Sequence, residues 1–587
     1  MCGIAGISCR PGLVPDAAML DAMEAALVHR GPDGGGRYCC NGAGLVHRRL
    51  SIVDLDGGAQ PILSDDAALI ANGEIYNDPE LRAAMPDTAF ATGSDCEPAL
   101  HLWRDEGLGF AGRLRGMYAI AVAQTRGSGH EIVLARDPFG IKPLYLAQCP
   151  SGIAFASEPE ALLAAGIGRR EARDSARDEL LQLQFTTGSD TIFPGIRRVN
   201  PGETVHLVDG RIASQRRVPV LPRASGVFTS EAPALAALDA ALADSVRAHL
   251  RADVPVGMFL SGGIDSAAVL ATMARVGDAR PVAWTARFDV PGSADESVHA
   301  RALAQAVGAD HRVMTITRDM VWRDLPKIVA CLDDPVADYA TIPTWFLAQE
   351  AAREVKVVLS GEGGDELFAG YGRYRRAMRP WWRGGRAPWT SGALSGMGVL
   401  RRDDRSWRRG MAAALASWSD VGRLARAQAL DIGEWLPNDL LIKLDRCLMA
   451  HAVEGRTPLL DPVVAAVAQS LPDSMKIRGG QGKWLLRRWL ADALPQARPF
   501  APKQGFTVPI ADWIMQNGAQ IGALVARAPC IAEIAHPERV RALFADASRR
   551  KARRGAWTLL FYTLWHAIHI DGADADGDVM DTLAQGA

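Results

Sequence analysis

No two of the nine cysteines form a CxxC pair, and none stands with histidine at the spacing of a zinc site. Their odd number fits reduced thiols better than a disulfide framework. Charge bias is missing too: 65 Lys and Arg nearly balance 67 Asp and Glu, which argues against a surface built for bulk nucleic-acid or anionic-membrane binding. No apolar run reaches a membrane span. The most apolar late stretch, Ala556 to Ile570, is short and contains His566 and His569, so a buried helix is expected there. No charged segment followed by an apolar one precedes Cys2, so no secretory or lipoprotein signal fits and a cytoplasmic protein is expected. Repeats and heptads are also absent. What remains is an ordinary globular composition, 48% hydrophobic and 22% charged, on a chain too long for one core.

Texture divides the chain. Up to about residue 210 it is rich in glycine, β-branched residues and short alternating runs (Gly44 to Val53, Ala68 to Ala71, Tyr118 to Ala123, Glu131 to Ala135), which predicts sheets with short helices. A polar, proline-containing stretch reads as a linker over 215–232, placing one domain at 2–214 and a second at 233–587. From Pro233 a helical run to Leu250 leads into an apolar strand, Pro255 to Leu260. Helices and short strands then alternate to Leu359, as in a doubly wound α/β unit, and beyond Pro437 the pattern is mostly helical. Two segments stand apart. Arg373 to Arg409, dense in Arg, Trp and Gly, reads as a mobile loop or an insertion at a substrate edge, and the acidic end Asp571 to Asp581 as a solvated tail.

Three strings carry chemistry. Removal of Met1 would leave Cys2 with a free α-amine, so nucleophile and base would share one residue. Val256 to Leu260 runs into Ser261-Gly262-Gly263-Ile264-Asp265-Ser266 and then an Ala-rich helix. This strand, turn and helix start aims backbone N–H groups at a phosphate, while Asp265 can hold the accompanying magnesium. Lysine is absent from the turn, so it is no Walker loop; it resembles the pyrophosphate loop of the ATP pyrophosphatases, which implies adenylation of an acceptor. A second loop, Ser360-Gly361-Glu362-Gly363-Gly364-Asp365-Glu366, sets three acids among glycines after the strand Val355 to Leu359. It is a metal or acid/base candidate.

Together these strings resemble the glutamine-hydrolysing asparagine synthetases over nearly the whole chain. The first half carries Cys2-Gly3-Ile4, His29-Arg30-Gly31-Pro32-Asp33, Arg49-Leu50-Ser51-Ile52-Val53-Asp54, Asn72-Gly73-Glu74, Gly93-Ser94-Asp95 and Arg136-Asp137-Pro138-Phe139-Gly140. The second adds Pro343-Thr344, Asp445-Arg446, Pro458-Leu459-Leu460-Asp461, Gly482-Lys483-Trp484 and Lys503-Gln504-Gly505-Phe506. The resemblance implies an αββα N-terminal-nucleophile glutaminase domain followed by a doubly wound ATP pyrophosphatase domain with a helical C-terminal part. It implies Cys2 as nucleophile and the Asn72 side chain with the Gly73 N–H as oxyanion hole. Arg49 would grip the glutamine carboxylate, with Leu50, Ser51, Ile52 and Val53 beside it, and Glu74 and Asp95 would hold the ammonium. ATP would lie on Leu260, Ser261, Gly262, Gly263, Ser266, Ser360 and Gly361, with adenine near Ala286. Asp265 and Asp365 would bind magnesium pyrophosphate, Lys483 would face the α-phosphate, and Glu362 would act as the base.

Aspartate is then the expected acceptor, with glutamine, aspartate and ATP as the only partners, no nucleic acid or membrane, and a homodimer left open. Two departures bear on the acceptor: Gly455 stands where the family often has valine, and Arg287 where glycine is common. They keep a same-architecture amidotransferase acting on a sugar acid, peptide or secondary metabolite in view. A cyclase without need of ammonia is disfavoured by Cys2 and its pocket, and a non-catalytic ATP sensor by the intact Asp265, Glu362, Asp365 and Lys483.

Overall fold

Small and β-branched residues dominate the early strands because two sheets must approach closely. In Ala67–Ile75, for example, Ala68 and Ile70 face one way and Leu69 and Ala71 the other, and all four are buried. The computed structural model describes residues 2–218, 228–290, 295–402, 404–501, 508–546 and 549–586. Two six-stranded antiparallel sheets form from the first 217 of them. One runs in the order Ile196–Arg198, Tyr145–Cys149, Gly152–Ala156, Gly3–Cys9, Ala43–Arg49, Gly34–Cys40; the other Arg211–Arg217, Glu203–Val208, Gly129–Arg136, Gly116–Arg126, Ala67–Ile75, Ile62–Ser64. Ile4, Leu45, Ile70, Ala121, Leu134 and Phe155 fill the space between the sheets. The helices Ala17–Ala26 and Pro159–Ala164 cover the outer face of the first, and Glu97–Glu106 that of the second. This is the αββα layering implied by the resemblance.

The third sheet is wholly parallel, in the order Asp310–Ile316, Val282–Phe288, Val256–Phe259, Val357–Leu359, Glu454–Arg456. Chain order reverses between Val256–Phe259 and Val357–Leu359, and the crevice beyond the carboxyl ends of such a pair is where doubly wound sheets bind ligands. Both glycine-rich loops leave the sheet there. The remainder is largely helical: Arg550–His569 buries Trp557, Phe561 and Trp565, so the apolar run around Ala556 is a core helix. Among the described residues no helix is long and apolar enough to cross a membrane.

Three expectations change. Residues 215–217 belong to the strand Arg211–Arg217, and Glu231 already opens the helix Glu231–His249, so the linker is shorter at both ends than 215–232. The Arg- and Trp-rich segment is anchored rather than loose: Arg373 sits against the rings of Tyr371 (4.0 Å) and Trp435 (3.9 Å) and bonds Asp431 at 2.6 Å, while Leu394 and Trp407 are buried. Trp381 and Trp382 alone of its tryptophans stand out in solvent. The acidic end is no free tail, because Asp578 caps the helix Val579–Gln585 and Val579 and Leu583 enter the core. The Lys503 to Phe506 string lies outside the described residues.

Candidate active sites

Cys2 enters the first strand of its sheet almost fully buried. Its backbone N–H donates to Asn72 Oδ1 at 3.1 Å. That bond orients the Asn72 amide so that its Nδ2, also buried, has no partner among the described residues. A buried donor left unmade beside a thiol is costly unless a ligand oxygen completes it. Gly73 follows at φ 153°, where a Cβ would lie 2.0 Å from the Met117 carbonyl oxygen, so only glycine holds this N–H in place. Burial pushes the Cys2 thiol above its ordinary pKa, opposed in part by the Leu50 amide.

Glu74 and Asp95 close the other side. Asp95 Oδ2 accepts from the Ile75 N–H at 2.6 Å, and burial lifts its carboxyl to about 6. Burial and then the Asp95 carboxylate also raise the Glu74 carboxyl well above its ordinary value, opposed by Arg456. Arg49 departs from expectation: its guanidinium donates to the carbonyls of Leu55 (3.1 Å), Asp54 (2.6 Å) and Val53 (3.4 Å), so the fork expected for a carboxylate also shapes the following loop. Ser51 N–H donates to Asp33, and Leu50 and Ile52 point into the apolar interior. Of the remaining motifs, Asp137 takes the N–H groups of Phe139, Ile141 and Lys142, while Arg136 donates to three carbonyls; that string builds a turn.

The second site is a cavity of about 670 Å³ at the crevice of the parallel sheet. Leu260, Ser261, Gly262, Gly263, Asp265, Ser266, Ala286, Ser360 and Gly361 all line it, as do Glu362, Asp365, Lys483, Pro343 and Thr344. Ser261 and Ser266 share a hydroxyl contact of 2.9 Å, and the buried Ser360 Oγ has no partner among the described residues. Lys483, at φ 58° before the helix Trp484–Ala493, puts its Nζ between Asp265 and Asp365, the latter at 2.7 Å. Burial opposes its charge, but the two carboxylates outweigh that and hold its pKa above the usual lysine value. Burial also raises the Glu362 carboxyl, countered by the Lys443 ammonium 3.9 Å away.

The two carboxylates suit magnesium. A Cβ on Gly364 would meet Asp265 Oδ1 at 2.3 Å and one on Gly370 would meet Asp365 Oδ1 at 1.8 Å, so glycines keep both carboxylates accessible. Among the described residues no three His, Cys, Asp or Glu converge for a metal, so an ion there needs phosphate and water oxygens as well, which is how magnesium is commonly held.

A profile of the asparagine synthase family matches residues 237–567, and one of a glutamine amidotransferase domain matches 1–217. The chain belongs to the asparagine synthase family. It is 33% identical to the glutamine-hydrolysing asparagine synthetase 1 of Bacillus subtilis over 97% of both chains. It is 35% identical to a putative glutamine-hydrolysing asparagine synthetase of Mycobacterium tuberculosis, over 97% of this chain and 98% of that one. An amidase of Penicillium rubens is 30% identical over 64% of this chain and 60% of its own.

Against the family pattern, Gly455 lies within the edge strand Glu454–Arg456, where a Cβ would meet Leu448 at 3.0 Å, and the exposed Arg287 bonds Thr315. Neither residue lines the nucleotide cavity. Lys443, Asp338, Arg487 and Arg456 were missed by sequence reasoning. Lys443 Nζ bonds Asp338 at 3.1 Å beside Glu362, and Arg487 lines the cavity. A lysine within the apolar helix Leu441–Met449 is a signal that could have been used; the others lack one.

Proposed function

We propose that this protein is an ATP-dependent, glutamine-hydrolysing asparagine synthetase, with a glutaminase domain that closes with the strand Arg211–Arg217 and a synthetase domain that opens with the helix Glu231–His249. The observation that carries the reading is the combination, in one chain of this family, of a buried thiol beside an unpaired amide donor and a phosphate-loop cavity holding a raised carboxyl. Cys2 Sγ gives its proton to the α-amine and attacks the glutamine amide carbon. Asn72 Nδ2 and the Gly73 N–H receive the oxyanion, where removing one such donor costs about 100- to 1,000-fold in rate. Ammonia leaves, and water releases glutamate from the thioester.

In the second site the aspartate side-chain carboxylate attacks the α-phosphate of ATP and pyrophosphate departs. Lys483 offsets charge on the phosphate, and the N–H groups of the Ser261 to Ser266 turn hold the leaving group. Asp265 and Asp365 would hold magnesium, which would supply positive charge to neutralise the pyrophosphate. Ammonia then attacks the acyl adenylate, Glu362 takes a proton and AMP leaves; burial raises this carboxyl above its ordinary value, which makes it a better acceptor for that proton. Leu50, Ile52, Met117, Phe139 and Ile141 share one apolar core with Met258, Leu260, Leu359 and Leu460, and this dry interior suits the internal passage of neutral ammonia. The deciding experiment is an acceptor screen with ATP and glutamine. Aspartate should give asparagine, glutamate, AMP and pyrophosphate. If aspartate gives nothing while another carboxylate is amidated, the assignment is wrong.

A further inference from the structure

Buried ion pairs that join the two halves of the chain include Arg30 to Asp445, Arg198 to Asp334, and Arg456 to Glu74. The third differs because it ends in the glutamine pocket. Arg456 closes the short edge strand Glu454–Arg456, and its carbonyl accepts the N–H of Ser360, the first residue of the acidic loop, at 2.9 Å. Its side chain leaves the sheet in the other direction and is fully buried. Nε donates to Glu454 at 2.5 Å, and Nη1 donates to the carbonyls of His249 (2.8 Å) and Arg251 (2.6 Å). Nη2 lies 3.0 Å from Glu74 Oε1, out of line for a hydrogen bond, so this contact is one of charge.

Glu74 needs a cation. It is buried close to Asp95, and two neighbouring carboxylates in a dry site keep a proton between them unless positive charge is supplied. Guanidinium cannot lose its own proton. We propose that Arg456 is a positioning residue for glutamine: its guanidinium supplies the positive charge that faces Glu74 and holds that carboxyl toward the substrate ammonium, so the glutaminase pocket is complete only with the synthetase sheet docked against it. Glu454 balances Arg456 from the far side, leaving the pocket's own carboxylates to attract the ammonium. The carbonyls of His249 and Arg251 fix the fork's direction. The inference rests on the reading of the first site as a glutaminase.

Its test is glutamine hydrolysis by the full chain. Arg456→Met should raise KM for glutamine on the order of 100-fold while kcat changes little, because the thiol and the oxyanion donors are untouched. Arg456→Lys keeps the cation without the fork and should recover most of that, with KM raised about tenfold. In a Glu74→Gln background, Arg456→Met should add almost nothing. A loss confined to kcat, a lysine variant as impaired as the methionine one, or a full additional loss on top of Glu74→Gln overturns the proposal. Should Arg456→Met fail to fold in a thermal melt, the KM and kcat of Arg456→Lys and its combination with Glu74→Gln decide by the same criteria. The assay contains no acceptor, so an acceptor other than aspartate leaves it intact. A parent protein that does not hydrolyse glutamine overturns both readings.

Discussion

Cys2 leads into the sheet pair of the first half and Glu362 lies at the crevice of the parallel sheet, so single substitutions should separate their chemistry. Cys2→Ala should abolish glutamine-dependent synthesis and spare synthesis from added ammonia; steady-state assays with each nitrogen source measure this, and equal loss of both defeats the two-site reading. Glu362→Gln keeps the shape but cannot take ammonia's proton, so amide formation should fall about 100- to 10,000-fold. Isotope exchange between pyrophosphate and ATP should persist. Asp95 adds a pH dependence. Burial lifts its carboxyl from 3.8 to about 6, and only its ionised form holds an ammonium, so kcat/KM for glutamine should decline as pH falls through about 6. The stability term has the opposite sign: between 3.8 and about 6 the folded state binds the proton more tightly than the unfolded chain, so this residue favours folding more as pH falls. Asp95→Asn should remove both effects, read from pH–rate profiles and pH-dependent melts.

The turn from Ser261 to Ser266 does at the scale of an element what no one of its residues does alone. It begins just after the strand Val256–Phe259, and its last three residues form the first turn of the helix Ile264–Val276, so its amides and the helix dipole converge on one point. Asp265 also holds Lys483, which comes from 218 residues further on. Asp265→Asn should therefore weaken both metal binding and the lysine's anchorage. Pyrophosphate release with either nitrogen source should drop by at least about 100-fold, with glutamine hydrolysis unaffected. Normal release would show that Asp265 has neither role. The turn was legible from sequence because its residues are contiguous. The anchoring of the segment around Arg373 was not, since Asp431 lies 58 residues further on and Trp435 comes from the same distant stretch.

At the scale of the molecule, the halves are held by buried charge as well as by apolar contact. Arg30 donates to the Cys2 carbonyl, to Glu158 and, as a fork, to Asp445. Removing one member of such a cluster strands the others, so Arg30→Met should destabilise the protein by about 3 to 5 kcal/mol. The half-exposed Lys356 to Asp33 pair also crosses between halves, but Lys356→Ala should cost under about 1 kcal/mol. Denaturant melts of the two variants test the contrast. Equal effects would mean that burial does not set the value of these pairs.

Sequence alone determined the local chemistry: the cysteine next to Met1, the Asn72-Gly73 turn and both glycine-rich loops are contiguous strings whose residue types suffice to aim a nucleophile or cradle a phosphate. Local periodicity also indicated sheets with short helices in the first half and a doubly wound unit in the second, while the αββα layering came from the family resemblance. The strings His29-Arg30 and Asp445-Arg446 were visible only as motifs. Their meaning as partners across a buried interface required 415 residues of chain to be folded back between them. Lys443 beside Glu362, Lys483 between two aspartates and Arg456 against Glu74 were decided by tertiary structure. Which charges share a dry cavity depends on which elements pack together, and no local pattern records that.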